Sequence, residues 1–315
     1  MPSSTDFVER FVPRTFREFF PAAENLKGLT QAVHAGTINS RIVVSGPTGC
    51  GKTTLAMLIA AGINCREETR PCGVCDCCIE AWSPAAFDVH ILDCVSQGVK
   101  GIRDLRDRLV QVTMRLRHRV VILDEAQRLT PDGQSQLLKV LDQASCYFIL
   151  CTTDPNRMNR ALLNRCTQLR VSPLSAPAAK KAARLILEKA EYKGDLDSAV
   201  LDIATRSLGT PRRILILAQD LCAGISTTVK SEDDATLKEL LSAPSYQIAW
   251  NVLARIKGSP DDVRRRVLSY CLSYLRRNDD NKMGRVAEIF LSPLAVDAPG
   301  TDLMLRFYSI SRQKR

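Results

Sequence analysis

Eight consecutive residues, Gly46-Pro47-Thr48-Gly49-Cys50-Gly51-Lys52-Thr53, constrain this chain more than anything else in it, because they match the spacing G-x-x-x-x-G-K-S/T. The apolar run Arg41-Ile42-Val43-Val44-Ser45 leads into them, and Thr54 to Gly62 leads out as a helix. Strand, glycine-rich turn and helix in that order make a phosphate cradle. The glycines let backbone N–H groups point inward, and the helix N-terminus adds a potential that favours anions. Lys52 then sets an ammonium against the β- and γ-phosphates, and the Thr53 hydroxyl is a ligand for Mg²⁺. Gly46, Pro47, Thr48, Gly49, Cys50, Gly51, Lys52, Thr53 and Thr54 are therefore the candidate nucleotide-binding residues.

A second half-site lies further along. Val120-Val121-Ile122-Leu123-Asp124-Glu125 is an apolar strand that ends in two carboxylates. The spacing predicts Asp124 near the Mg²⁺ shell and Glu125 free to orient and deprotonate an attacking water. Other short apolar runs, at Asp88–Leu92, Tyr147–Thr152 and Gln168–Val171, read as strands. The stretches Ile102–Leu116 and Pro131–Gln143 between them read as helices. Continuous apolar strands alternating with helices predict an α/β domain with a parallel sheet covered on both faces.

After Pro173 the strand signal stops. Helices are predicted at Pro177–Tyr192, Ser198–Thr205 and Pro211–Cys222. A polar linker follows at Ser226–Asp234, and the chain is again helical from about Ala235. The expected organisation is an α/β domain over 1–172, a small helical domain over 173–228 and a C-terminal helical domain over 229–315. A length of 315 residues is consistent with more than one domain.

Charge and cysteine content narrow the setting. With 44 basic and 34 acidic side chains the chain carries +10, a balance that favours polyanionic partners. Seven of the basic residues fall between Lys100 and Arg119, at Lys100, Arg103, Arg106, Arg108, Arg115, Arg117 and Arg119, against Asp104 and Asp107. Lys100 and Arg103 are the candidates for contact with DNA phosphates. The scarcity of interleaved aromatics predicts readout by shape and charge, with a strong salt dependence. No apolar run is long enough to span a bilayer, and the start has no basic region followed by an apolar one, so the expectation is a cytoplasmic protein with no membrane partner.

Five of the twelve cysteines crowd between Cys65 and Cys78. Two thiolates two residues apart hold one metal in a tight knuckle. Four around Zn²⁺ make a closed structural site with no position left for substrate. Cys65, Cys72 and Cys75 are candidate ligands, with Cys77 and Cys78 as rivals for the fourth. An iron–sulfur cluster is a weaker reading, because the cysteine–proline pair that follows a ferredoxin's run is missing.

The motifs together carry a resemblance. Asp124-Glu125-Ala126-Gln127 resembles the DEAH-type Walker B of bacterial clamp loaders. Leu150-Cys151-Thr152-Thr153-Asp154-Pro155 is similar to their sensor 1 stretch, Leu162-Leu163-Asn164-Arg165-Cys166 to their Ser-Arg-Cys motif, and Gly209-Thr210-Pro211-Arg212 to the start of their sensor 2 helix. Phe11-Val12-Pro13-Arg14-Thr15-Phe16 resembles an N-terminal segment of the same proteins, and Cys72 to Cys78 their zinc module. Over residues 8–222 the chain resembles the ATPase (gamma/tau) subunits of the DNA polymerase III clamp loader, a branch of the AAA+ ATPases.

The resemblance implies an AAA+ domain with a zinc module at 65–78, a lid and an oligomerising collar. It implies ATP, Mg²⁺ and Zn²⁺ as cofactors, with Cys78 preferred to Cys77. Lys52 and Thr53 would bind ATP and Mg²⁺, Asp124 the metal and Glu125 the water. Thr153 would sense the γ-phosphate and Arg212 would reach the nucleotide from the lid. Arg165 would act as an arginine finger in a neighbouring subunit. The implied partners are other clamp-loader subunits in a homo- or hetero-pentamer, a sliding clamp and primer–template DNA. Implied function is clamp opening and placement driven by ATP. Another AAA+ DNA motor of the branch-migration helicase type, or a non-catalytic scaffold subunit, are the alternatives. Gln127 stands where the family has His, Asn164 where it has Ser, and Phe20-Pro21 where it has Gly-Gln. With the short length, these departures lead us to expect a divergent member, with a phage origin and a host-cytoplasmic location left open.

Overall fold

In the computed structural model the central strand Val120–Asp124 is buried along its whole apolar length, with no exposed surface on Val120, Val121, Ile122 or Leu123. A strand can be apolar on both faces only if both faces are covered. The structure describes residues 6–20, 22–23, 26–96, 112–143, 145–225, 239–241, 246–253 and 281–291. It also describes residues 101–102, 104–105, 109, 260, 263–264, 267–268, 270–271, 302–303, 305–306 and 309. The chain divides into two compact units, Met1–Ala223 and Gly224–Arg315.

The first unit is built on a six-stranded sheet. Its strands are β1 (Ala22–Ala23), β2 (Arg41–Ser45), β3 (Val89–Asp93), β4 (Val120–Asp124), β5 (Tyr147–Thr152) and β6 (Thr167–Ser172), in the order β1-β6-β2-β5-β4-β3. The five strands β2 to β6 pair in parallel, and β1 adds a short antiparallel edge. The period of two sorts the side chains cleanly. Ile42, Val44, Val120, Ile122, Ile149 and Cys151 face one core with the helices Leu26–Ala35 and Lys52–Asn64. Val43, Val121, Leu123, Phe148 and Leu150 face the other with the helix Pro131–Gln143. The helix Lys52–Asn64 is buried nearly all round, which explains why its sequence is apolar without a stripe.

The helix expected over Ile102–Leu116 does not reach Leu116. Helical residues extend to 109, but over 112–119 the backbone is bend or irregular. Asp88, fully buried, captures this segment: its Oδ2 accepts the N–H groups of Met114 (3.1 Å), Arg115 (2.7 Å) and Leu116 (2.9 Å). A carboxylate that gathers three consecutive amides turns them toward itself, which a helix ladder forbids.

Three helices complete the first unit: Ala176–Lys189, Leu196–Ser207 and Pro211–Cys222. Asp195 caps the second through the N–H groups of Asp197 and Ser198, and Pro211 opens the third. Their core includes Ala183, Leu187, Ile203 and Leu217, and Phe7 from the chain's start lies in it. The second unit holds the helices Tyr246–Leu253 and Asn281–Leu291 around Val252, Val267, Cys271 and Phe290. The expected linker Ser226–Asp234 and the expected boundary near 228–229 lie outside the described residues.

Candidate functional site

Strand order brings the motifs together. β5 inserts between β2 and β4, pairing Ser45 with Thr152 and Leu123 with Leu150, so the C-terminal ends of three strands meet. That is where an open α/β sheet binds its ligand. Gly46 to Gly51 follow β2, Asp124 and Glu125 end β4, and Thr153 follows β5.

The loop after β2 uses its glycines for conformation and for room. Gly46, Gly49 and Gly51 have φ of 151°, 78° and 90°. A Cβ on Gly46 would sit 2.1 Å from the Val171 carbonyl oxygen, so no larger residue fits while β6 stays paired. Lys52 opens the helix, 6% exposed, and its Nζ donates to the Pro47 oxygen at 3.1 Å. Pro47, Thr48 and the buried Cys50 complete the turn, and Thr54 follows in the first turn of the helix. Thr53 Oγ1 donates to Asp124 Oδ2 at 2.9 Å, which places the two Mg²⁺ ligand candidates side by side.

Behind them, Glu125 has the left-handed conformation, φ 52°, rare for a residue with a side chain. Gln127 joins it to Thr153: the Gln127 amide nitrogen donates to the Glu125 carboxylate and, at 2.7 Å, to Thr153 Oγ1. The concentration of carboxylates is felt by Cys94, whose thiol is pushed up to about 12 by burial and then by Asp93, Asp124 and Glu125.

The last of the three helices, Pro211–Cys222, meets the glycine loop. Arg212 donates its backbone N–H to the Gly49 oxygen at 3.3 Å and lines a cavity of about 410 Å³ with Lys52, Thr53, Asp124 and Glu125. Val8, Phe11, Val12 and Ile214 give that cavity an apolar wall that the sequence alone does not indicate. Residues 6–20 act as a strap, since Phe7 belongs to the core of the three helices while Phe16 and Phe19 belong to the sheet core. Arg165 lies elsewhere: its Nε is 3.3 Å from Asp142 Oδ1 and its side chain is 42% exposed. Lys100 and Arg103 lie outside the described residues, as do Arg106 and Arg108. In the same basic stretch Arg115 pairs with Glu80 at 3.0 Å, and Arg119 is buried 3.6 Å from Asp88.

The cysteines form a second centre. The Sγ atoms of Cys65, Cys72, Cys75 and Cys78 all lie within 4.8 Å of one another, with Cys65–Cys75 at 3.8 Å and Cys72–Cys78 at 3.9 Å. Zn–S bonds of about 2.3 Å in a tetrahedron require S···S edges near 3.8 Å, so the donor set fits. Burial opposes ionisation of Cys72, yet the N–H groups of Val74 and Cys75 lower its thiol to about 7. Cys77 is not in the group and packs into the sheet core. Cys65 caps the helix that begins at Lys52, so the cluster sits at the far end of that helix from the glycine loop. It also touches the strap: Arg14 stacks over the Trp82 ring at 4.3 Å, and a Cβ on Gly73 would come within 3.0 Å of Arg14 Cβ.

Residues 22–175 match the family described as DNA polymerase III, delta subunit. Among curated relatives, the chain is 34% identical over 228 residues to the DNA polymerase III subunit gamma/tau of Mycobacterium bovis, covering 70% of this chain and 39% of that one. It is 26% identical over 286 residues to the subunit tau of Escherichia coli, covering 89% and 41%. The chain thus spans about 40% of the length of these relatives. Among solved structures, the RuvB Holliday junction branch migration motor of Thermotoga maritima superposes with a TM-score of 0.52 at 19% identity, over 84% of this chain and 91% of that one.

Proposed function

We propose that the chain is an AAA+ clamp-loader subunit of the bacterial DNA polymerase III type, and that it hydrolyses ATP to open a sliding clamp and place it on primed DNA. The observation that carries this reading is the convergence of Lys52, Thr53, Asp124, Glu125 and Arg212 on one cavity, with Thr153 tied to Glu125 through Gln127. ATP with Mg²⁺ would supply the phosphoryl group. Lys52 and the loop amides hold its phosphates, Thr53 and Asp124 hold the cation, and Arg212 reaches the nucleotide from the lid. Glu125 orients and deprotonates water, and Thr153 contacts the γ-phosphate. Arg165, exposed away from its own site, serves a neighbouring subunit in a homo- or hetero-pentamer. Lys100 and Arg103 contact the DNA backbone. Cys65, Cys72, Cys75 and Cys78 hold a structural Zn²⁺. The domain limits 1–172, 173–228 and 229–315 and a cytoplasmic site of action are part of the same reading.

The test is ATP hydrolysis with and without primed DNA and the cognate clamp, across a salt series. Stimulation by both, falling with salt and lost in Glu125→Gln and Arg165→Ala, is the expected result. Stimulation by DNA with indifference to any clamp would transfer the chain to the branch-migration class of motor. Clamp loading undiminished by Lys52→Ala would make it a scaffold.

A further inference from the structure

Gln127 follows Glu125 by two residues on the short 3₁₀ turn Ala126–Arg128, and that turn sends its side chain inward toward β5. It is 8% exposed and uses every hydrogen-bonding valence of its amide. Its Oε1 accepts from Thr152 Oγ1 at 2.8 Å and from the Thr153 N–H at 3.3 Å. Its Nε2 donates to Thr153 Oγ1 at 2.7 Å and to Glu125 Oε2. The amide orientation is forced, because the Thr153 N–H can only donate and a carboxylate can only accept. Turning the amide over would set donor against donor and acceptor against acceptor.

We infer that Gln127 is a positioning residue for hydrolysis, joining the base Glu125 to the sensor Thr153 through one fixed amide. The inference rests on the ATPase reading above. Thr153 Oγ1 accepts from Gln127, so its own proton is left to donate outward. Glu125 is anchored through Oε2, which leaves Oε1 to take a proton from water. One side chain therefore sets both the aim of the base and the polarity of the sensor hydroxyl, and a shift of Thr153 toward a phosphate is transmitted to Glu125. Neither a shorter amide nor an imidazole replaces it: a ring with two nitrogens satisfies at most two of the four partners.

The experiment compares wild type with Gln127→Met and Gln127→His, as the assembled protein with primed DNA and clamp. It measures kcat, nucleotide affinity by a fluorescent ATP analogue, and melting temperature. Methionine keeps the volume and removes all four bonds. The expected result is a kcat about 100-fold lower, as a misplaced base of this kind costs, with nucleotide affinity within about threefold of wild type. Gln127→His, which can still donate to Glu125, is expected to recover part of the loss. Combining Gln127→Met with Thr153→Ala should lower kcat no further than the worse single change, because the two residues act as a unit. Wild-type kcat in Gln127→Met, losses confined to affinity, or strictly additive losses would each overturn the assignment. If Gln127→Met does not fold, Gln127→His carries the same comparison. Glu125→Gln separates the two layers: wild-type turnover that survives it refutes the ATPase site itself, whereas turnover that it abolishes and Gln127→Met spares refutes only the role of Gln127.

Discussion

Asp88→Asn exchanges one carboxylate oxygen for an NH2 group, and the structure lets the cost be worked out. Asp88 precedes β3 and has no exposed surface. Its Oδ2 receives the N–H groups of Met114, Arg115 and Leu116, and its Oδ1 receives Met114 again at 3.1 Å and faces Arg119 NH2 at 3.6 Å. An asparagine NH2 would oppose donors whichever oxygen it replaced. If it stands at Oδ2, it meets the amides of Arg115 and Leu116. If it stands at Oδ1, it meets the Met114 amide and the Arg119 guanidinium. Hydrogen bonds to a charged acceptor are worth about 1.5–3 kcal/mol each, and breaking a buried ion pair costs about 3–5 kcal/mol. These contributions overlap, so the expected loss is about 3–5 kcal/mol rather than their sum. For a unit of this size each kcal/mol lowers the melting temperature by about 2–4 °C, so calorimetry should show a drop of about 10 °C at pH 7.

The pH dependence has a definite sign. Burial works to raise the Asp88 pKa, but the amides of Arg115, Leu116 and Met114, with Arg119, hold it below the ordinary value. A depressed folded pKa contributes stability that is full above the unfolded value, about 3.9, and is lost as the pH falls through the folded value. The difference between wild type and variant should be constant from pH 6 to 8 and shrink in acid below about pH 4. A variant melting within about 2 °C of wild type at pH 7, or a gap that widens in acid, would refute this account of what ends the basic helix.

Two further outcomes follow. Gly46→Ala should weaken binding of a fluorescent ATP analogue at least tenfold, because its Cβ would meet the Val171 oxygen at 2.1 Å. Gly36→Ala, also at positive φ (67°) but with nothing within 4 Å of the added atom, should cost only about 1 kcal/mol of backbone strain and spare nucleotide binding. Elemental analysis should find about one zinc per chain, lost with Cys72→Ser or Cys78→Ser and retained in Cys77→Ser. Stripping it with a chelator should lower the melting temperature of the first unit, since binding a structural zinc is coupled to folding.

The parts legible in the sequence were those written in neighbouring residues. The run Arg41–Ser45, the glycine loop and the apolar helix after it need no knowledge of the fold, and β2, β4 and β5 lie where their apolar runs end in glycine or acid. What the sequence withheld was set by tertiary contact. The stretch Ile102–Leu116 has helical spacing throughout, but a distant carboxylate, Asp88, takes its last amides. Gln127 stood out only as a departure from a motif, because its two threonine partners come from the end of the neighbouring strand β5 and the residue after it. The sequence leaves Cys77 and Cys78 as rivals for the fourth ligand. The helix Asp76–Ala81 buries both, but only the Cys78 thiol joins those of Cys65, Cys72 and Cys75. Residues 6–20 show no periodicity, and their role as a strap between two cores emerges only when Phe7 and Phe16 are seen in different ones.

The central claim is that nucleotide held at Lys52 drives clamp placement, and the most direct measurement is ATP-dependent transfer of the cognate clamp onto primed circular DNA, followed by gel filtration with the partner subunits present. The account predicts that clamp co-elutes with DNA only when ATP and the wild-type chain are supplied, and that Lys52→Ala abolishes the transfer. Clamp transfer that proceeds equally well with Lys52→Ala, or no transfer while DNA-stimulated hydrolysis persists, would contradict it.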